Sequence, residues 1–92
     1  MPRPRKRRCC RRFTGDRVFK PRSIPMSALE PIRLALDELE ALRLCDLQGL
    51  DQEAAGERMG VSRGTVQRLV KSGRAKTVRA LIESTALVVE EG

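Results

Sequence analysis

The chain has 92 residues, 40% hydrophobic and 34% charged, with a formal net charge of +7 and no histidine. That length holds one small domain with a modest core. The missing histidine removes the commonest general base, and no apolar run approaches the roughly 20 residues of a membrane span.

Residues 1–22 carry ten Lys/Arg against one acid, Asp16, which leaves nine bases and eleven acids for residues 23–92. With Pro2, Pro4 and Pro21 opposing helix, residues 1–22 read as a flexible basic arm,. Its arginines, among them Arg5, Arg7 and Arg8, are suited to lie along phosphates or to probe a minor groove,. Cys9, Cys10 and Cys45 make no disulfide framework and have no Cys-x-x-Cys spacing,. Reduced thiols, the lack of an apolar leader and the lack of a membrane span together give the expectation of a cytoplasmic protein. No metal or cofactor is expected.

Residues 23–92 read as a single helical domain. Pro25 and Pro31 interrupt any early helix, and Ile32, Leu34 and Leu36 alternate with Arg33 and Ala35, as in a strand,. Residues 86–90 (Ala-Leu-Val-Val-Glu) are also β-prone, so the two segments are candidates for a short terminal ribbon,. Asp37 is the expected N-cap of a first helix, with Glu38 and Glu40 in its first turn,. Leu39, Leu42 and Cys45 give that helix an apolar face, Leu44 and Leu47 widen it, and Gly49 ends it,.

A second helix is expected from Asp51 to Met59, capped by Asp51,. Its small residues Ala54, Ala55 and Gly56 let another helix come close. Gly60 then supplies a positive φ, Val61 turns inward and Ser62 caps a third helix starting at Arg63,. Val66, Leu69 and Val70 form the buried side of that helix. Ser72-Gly73 is a place for a bend, or for a fourth helix beginning near Arg74, with Val78, Leu81 and Ile82 as its buried face,.

From Arg58 to Ile82 there is no acidic residue. Arg63, Gln67, Lys71 and Arg74 recur at helical spacing and form one exposed stripe, with Gly64 and Arg68 beside it,. A basic helix after a tight glycine turn is the form in which a helix-turn-helix enters the major groove of duplex DNA. Arginine can bond guanine, and glutamine adenine, through two hydrogen bonds each, so Arg63, Gln67 and Arg68 are the candidates for reading bases. Ser62 and Thr65 are short hydroxyl donors at the helix start, Gly64 allows close backbone approach, and Lys71, Arg74 and Lys76 are placed to hold phosphates. No catalytic constellation competes: Ser62 has no base in its motif, and Gly60 to Gly64 lacks the lysine of a phosphate-binding loop,.

The run Asp37-Glu38-Leu39-Glu40-Ala41-Leu42-Arg43-Leu44, followed by Asp46 and by Met59-Gly60-Val61-Ser62-Arg63, resembles a family of small predicted DNA-binding proteins, domain of unknown function 134. The resemblance extends from about Phe19 to Leu87. It implies a helix-turn-helix similar to region 4 of bacterial sigma factors, and so a prokaryotic, transcription-type protein. Within it, Gly64 stands where a polar residue such as glutamine is common, Val66 where an aromatic is common, and Gly56 and Gly73 where alanine is usual.

The combined expectation is a mainly α protein, a bundle of three to four helices with a terminal ribbon and a basic arm, that binds double-stranded DNA and regulates transcription. The rivals are an adaptor that docks on RNA polymerase through the acidic helix from Asp37, and RNA binding through the arm. A homodimer through residues 77–90 is the candidate assembly.

Overall fold

The computed structural model describes residues 17–90. Three α-helices carry most of the fold: α1 (Leu36–Leu42), α2 (Gln52–Met59) and α3 (Arg63–Glu83). A small sheet of β1 (Arg17–Phe19), β2 (Ile32–Ala35) and β3 (Leu87–Glu90) closes one end.

The sheet is larger than the expected ribbon. Its strand order is β1-β3-β2, with β3 in the centre. β3 runs parallel to β2, with Arg33 opposite Val88, and antiparallel to β1, with Val18 opposite Val88. The link from β2 to β3 is the whole helical bundle, which is why these strands can be parallel: no tight turn could join them. The third strand comes from the segment assigned to the arm. Arg17–Phe19 contains a β-branched and an aromatic residue, Val18 and Phe19, and completes β3 on its other edge,. Residues 17–19 are therefore sheet and residues 20–22 lead into a turn, while residues 1–16 of the expected arm, including Arg5, Arg7, Arg8, Cys9 and Cys10, lie outside the described residues.

α1 follows β2 without a loop. Ala35, in extended backbone (φ −71, ψ 152), is the N-cap, which places the expected cap Asp37 at the second helical position. Alanine cannot accept a capping bond, so the work passes to Glu38, whose Oε1 accepts from the Ala35 N–H at 2.8 Å,. After Leu42 the helix widens into a π-helical turn, Arg43–Leu47, before Gly49 reverses the chain at φ 76. The widened turn rotates the end of the segment outward. Leu47, expected on the apolar face, is exposed, whereas Leu44 is wholly buried.

The core is Ala41, Leu44, Ala55, Met59, Val66 and Val70, with Leu42, Cys45, Leu50, Val61 and Leu69 packed against it. α1 and α2 both lie on α3. Cys45, whose place on the apolar face implies a small buried hydrophobe, is half-buried against that core,.

α3 is one helix of 21 residues, so the expected break at Ser72-Gly73 and the fourth helix are absent. Gly73 is buried because α1 crosses there: a Cβ at this position would stand 2.9 Å from Leu42 Cδ1 and 3.2 Å from Leu42 Cγ. The glycine serves close packing between helices, and packing supplies what helix propensity lacks. Val78, Leu81 and Ile82, expected to be buried, are 55%, 75% and 79% exposed. The buried side of this half of α3 is instead Gly73 and Ala80.

Candidate nucleic-acid interface

The turn between α2 and α3 is built as the residue types require. Asp51 Oδ1 accepts from the Ala54 N–H at 2.8 Å and fixes the start of α2,. Gly60 ends α2 in the left-handed region (φ 71, ψ 32), which costs glycine no steric penalty,. Gly56 lets the turn fold tightly back, because a Cβ there would be 2.7 Å from the Val61 carbonyl oxygen. Ser62 Oγ then accepts from the Thr65 N–H at 3.1 Å and opens α3.

The first turns of α3 form a small polar array. Ser62 Oγ and Thr65 Oγ1 share a hydrogen bond at 3.0 Å, and Arg68 Nη2 donates to Thr65 Oγ1 at 3.3 Å. The Arg68 guanidinium is thereby drawn toward the helix start beside Gly64, whose Cβ position lies 3.8 Å from Arg68 Nη1. Ser62, Arg63, Gln67, Arg68 and Lys71 are exposed, while Gly64 and Thr65 are half-buried. Among the described residues, no carboxylate forms an ion pair with Arg63, Arg68 or Lys71.

Arg63 also lines a cleft of about 460 Å³ between the start of α2 and α3, with Leu50, Asp51, Gln52, Glu53, Val70 and Arg74 around it. Gln52, at the first position of α2, brings a further polar side chain to this cleft. A preference for first-turn polar residues gives no hint that α2 opens beside the start of α3.

The two later cations, expected at phosphates, each hold an ion pair within the fold while part of each side chain stays exposed. Arg74 grips Asp46 through two bonds, Nε to Oδ2 at 3.0 Å and Nη2 to Oδ1 at 2.6 Å. That guanidinium holds the Asp46 carboxyl below its usual range, against a smaller opposing effect of burial. Lys76 Nζ donates to Glu38 Oε1 at 2.7 Å, and Ser72 Oγ donates to Glu38 Oε2. Glu38 is only 4% exposed. Burial alone would raise its pKa, but the bonds from Lys76, Ser72 and the Ala35 N–H together bring it below the usual value,. Glu40 is likewise buried, and Arg43 donates to both its oxygens at 2.7 and 2.9 Å. Two of the acids that made α1 a candidate docking face therefore point inward.

The exposed side of α3 changes character along its length. Arg63, Gln67 and Lys71 lead through Arg74 to Val78, Leu81 and Ile82 at steps of three and four, so all share one face,. That face is cationic in the first half and apolar in the second. Among the described residues, no helix is long and apolar enough to cross a membrane, and no group of His, Cys, Asp and Glu could hold a metal ion.

Comparison with known proteins agrees on one family. The chain is 47% identical over 92 residues to a UPF0251 protein of Pelotomaculum thermopropionicum, covering all of this chain and 70% of that protein. It is 42% identical to one of Rhodospirillum rubrum and 47% identical to one of Desulforudis audaxviator, covering 64% and 60% of those proteins. The chain thus spans about two thirds of the length of these relatives. No solved structure matches it. The family described as "Protein of unknown function DUF134" matches residues 1–92 from end to end, and the chain belongs to that family.

Proposed function

We propose that this protein binds double-stranded DNA, with α2, the Gly60 turn and α3 acting as a helix-turn-helix and α3 entering the major groove by its first turns. The supporting observation is the set Arg63, Gln67, Arg68 and Lys71: exposed, at the start of one helix, and not neutralised by any carboxylate among the described residues. Such groups attract a polyanion and carry the donors that base edges accept. Arg63, Gln67 and Arg68 are the base-reading residues of this proposal. Ser62, Thr65 and Lys71 make phosphate contacts, and the arm with Arg5, Arg7 and Arg8 adds affinity that does not depend on sequence. A role in transcription, as in the sigma-like proteins this segment resembles, follows as part of the proposal.

The test is a competition series in which a labelled duplex is challenged with duplex DNA, structured RNA and core polymerase, followed by selection of bound fragments from random DNA. Duplex competing best at low salt, with an enriched motif, supports the proposal. Duplex that fails to compete at low salt removes it.

A further inference from the structure

We infer that Thr65 is a positioning residue: it holds the Arg68 guanidinium back over Gly64, where that fork reads a guanine one helical turn ahead of its own Cα. The inference rests on the proposed DNA binding and adds what fixes part of the preferred sequence. Arg68 Nη2 donates to Thr65 Oγ1 at 3.3 Å. Thr65 Oγ1 in turn shares a hydrogen bond with Ser62 Oγ at 3.0 Å, and Ser62 Oγ accepts from the Thr65 N–H at 3.1 Å. The arginine is therefore tied to the cap of α3 itself.

Gly64 supplies the room. Side chains on a helix lean toward its N-terminus, so Arg68 covers the positions three and four residues before it, Thr65 and Gly64. A Cβ on Gly64 would stand 3.8 Å from Arg68 Nη1 and 4.0 Å from Ser62 Oγ. The guanidinium thus lies over bare backbone, and a longer side chain at that position would compete for its place. A step of four residues carries the fork about 6 Å toward the end of the helix that enters the groove first.

The held arginine stays competent to read. Arg68 is exposed, and no carboxylate among the described residues pairs with it. One bond to Thr65 leaves a guanidinium enough N–H donors for the two bonds that guanine O6 and N7 accept. Accepting from Arg68 uses a lone pair of Thr65 and not its hydrogen, so the tether is compatible with a bond from Thr65 to phosphate. The gain is order before binding: immobilising one free, long side chain at an interface opposes binding by roughly 2- to 12-fold. Arg63 has no such tether among the described residues.

Two measurements on the full chain test this. In the DNA-free protein, nitrogen-15 relaxation gives a higher order parameter for Arg68 Nε than for Arg63 Nε. Thr65→Val lowers it to the Arg63 value, and Thr65→Ser keeps it. Wild type, Thr65→Val, Thr65→Ser and Arg68→Ala then each select duplexes from one random library. Arg68→Ala erases one guanine from the preferred motif. Thr65→Val reduces the preference for that same guanine by roughly 2- to 12-fold and leaves the other positions unchanged, and Thr65→Ser restores it. A lost phosphate bond or a weakened helix lowers affinity for all sequences alike and does not imitate this pattern. An Arg68 as mobile as Arg63, a Thr65→Val motif equal to that of wild type, or a loss spread evenly over all sequences overturns the inference and leaves DNA binding standing. A wild-type chain that retains no duplex overturns the proposed function and this inference with it.

Discussion

Lys71 and Lys76 lie five residues apart on one helix, and the structure gives them opposite tasks. Lys71 is exposed, with no carboxylate bound to it among the described residues, whereas Lys76 is held by Glu38, which is 4% exposed. Lys76→Ala leaves that carboxylate buried with only Ser72 and the Ala35 N–H. Removing one partner of a buried pair costs about 3–5 kcal/mol. The Lys76 side chain is 36% exposed, which lowers the expected loss to roughly 2–3 kcal/mol. At about 4–8 °C per kcal/mol for a domain of this size, Tm falls by about 10–20 °C. Lys71→Ala leaves stability within about 0.5 kcal/mol. On duplex DNA the order reverses. Lys71→Ala reduces the salt slope of log affinity by about 0.9, so the variant loses some 3- to 4-fold less affinity than wild type between about 50 and 200 mM salt. Lys76→Ala, assayed below its Tm, keeps the wild-type slope. Thermal melts by circular dichroism and anisotropy titrations at several salt concentrations read both effects. A Lys76→Ala chain that melts like wild type and loses salt slope refutes the reasoning, because Lys76 then belongs to the surface rather than to Glu38.

Glu38 has a lowered pKa when folded, so its stabilisation is complete above the ordinary value of 4.5 and drains away as pH falls through that value and the folded one,. Glu38→Gln is therefore less stable than wild type at neutral pH, and urea denaturation at stepped pH shows the difference shrinking in acid. An undiminished difference in acid contradicts the assignment. Gly60→Val forces a β-branched residue to φ 71 and costs about 1–2 kcal/mol or more, measurable in the same urea curves. Selection of bound DNA with Arg63→Ala flattens the preferred motif, while Arg7→Ala weakens all sequences alike. The reverse result moves base reading from α3 to the arm.

What could be read from the residues was what neighbouring residues decide among themselves. Asp51 and Ser62 cap their helices and Gly60 adopts its left-handed turn because each acts on backbone two or three positions away. Of the core, Leu44, Val66 and Val70 followed from helical spacing, whereas Ala41 and Met59 were not among the positions expected to be buried. Long-range partners were not legible. Nothing local marks Glu38 as the partner of Lys76, 38 residues later, or Asp46 as that of Arg74, 28 residues later. Periodicity likewise shows that Val78, Leu81 and Ile82 share a face but not whether anything covers it. α1 has 7 residues and α2 has 8, too short to sheathe an α3 of 21. The break expected at Ser72-Gly73 was a true reading of propensity. It was overruled by α1 seated against Gly73, where a Cβ would press on the Leu42 side chain.

The order of strands has a consequence for biosynthesis. β3 is the middle of the sheet, yet it is made after both of its neighbours. As the chain grows from its N-terminus, the helices can collapse on one another while β1 and β2 still wait with unsatisfied edges. One late segment, Leu87–Glu90, pairs with both of them. A nascent polypeptide lacking those four residues has two orphan strands, and such edges invite pairing between chains. The arrival of that strand is therefore also the step that removes the hazard.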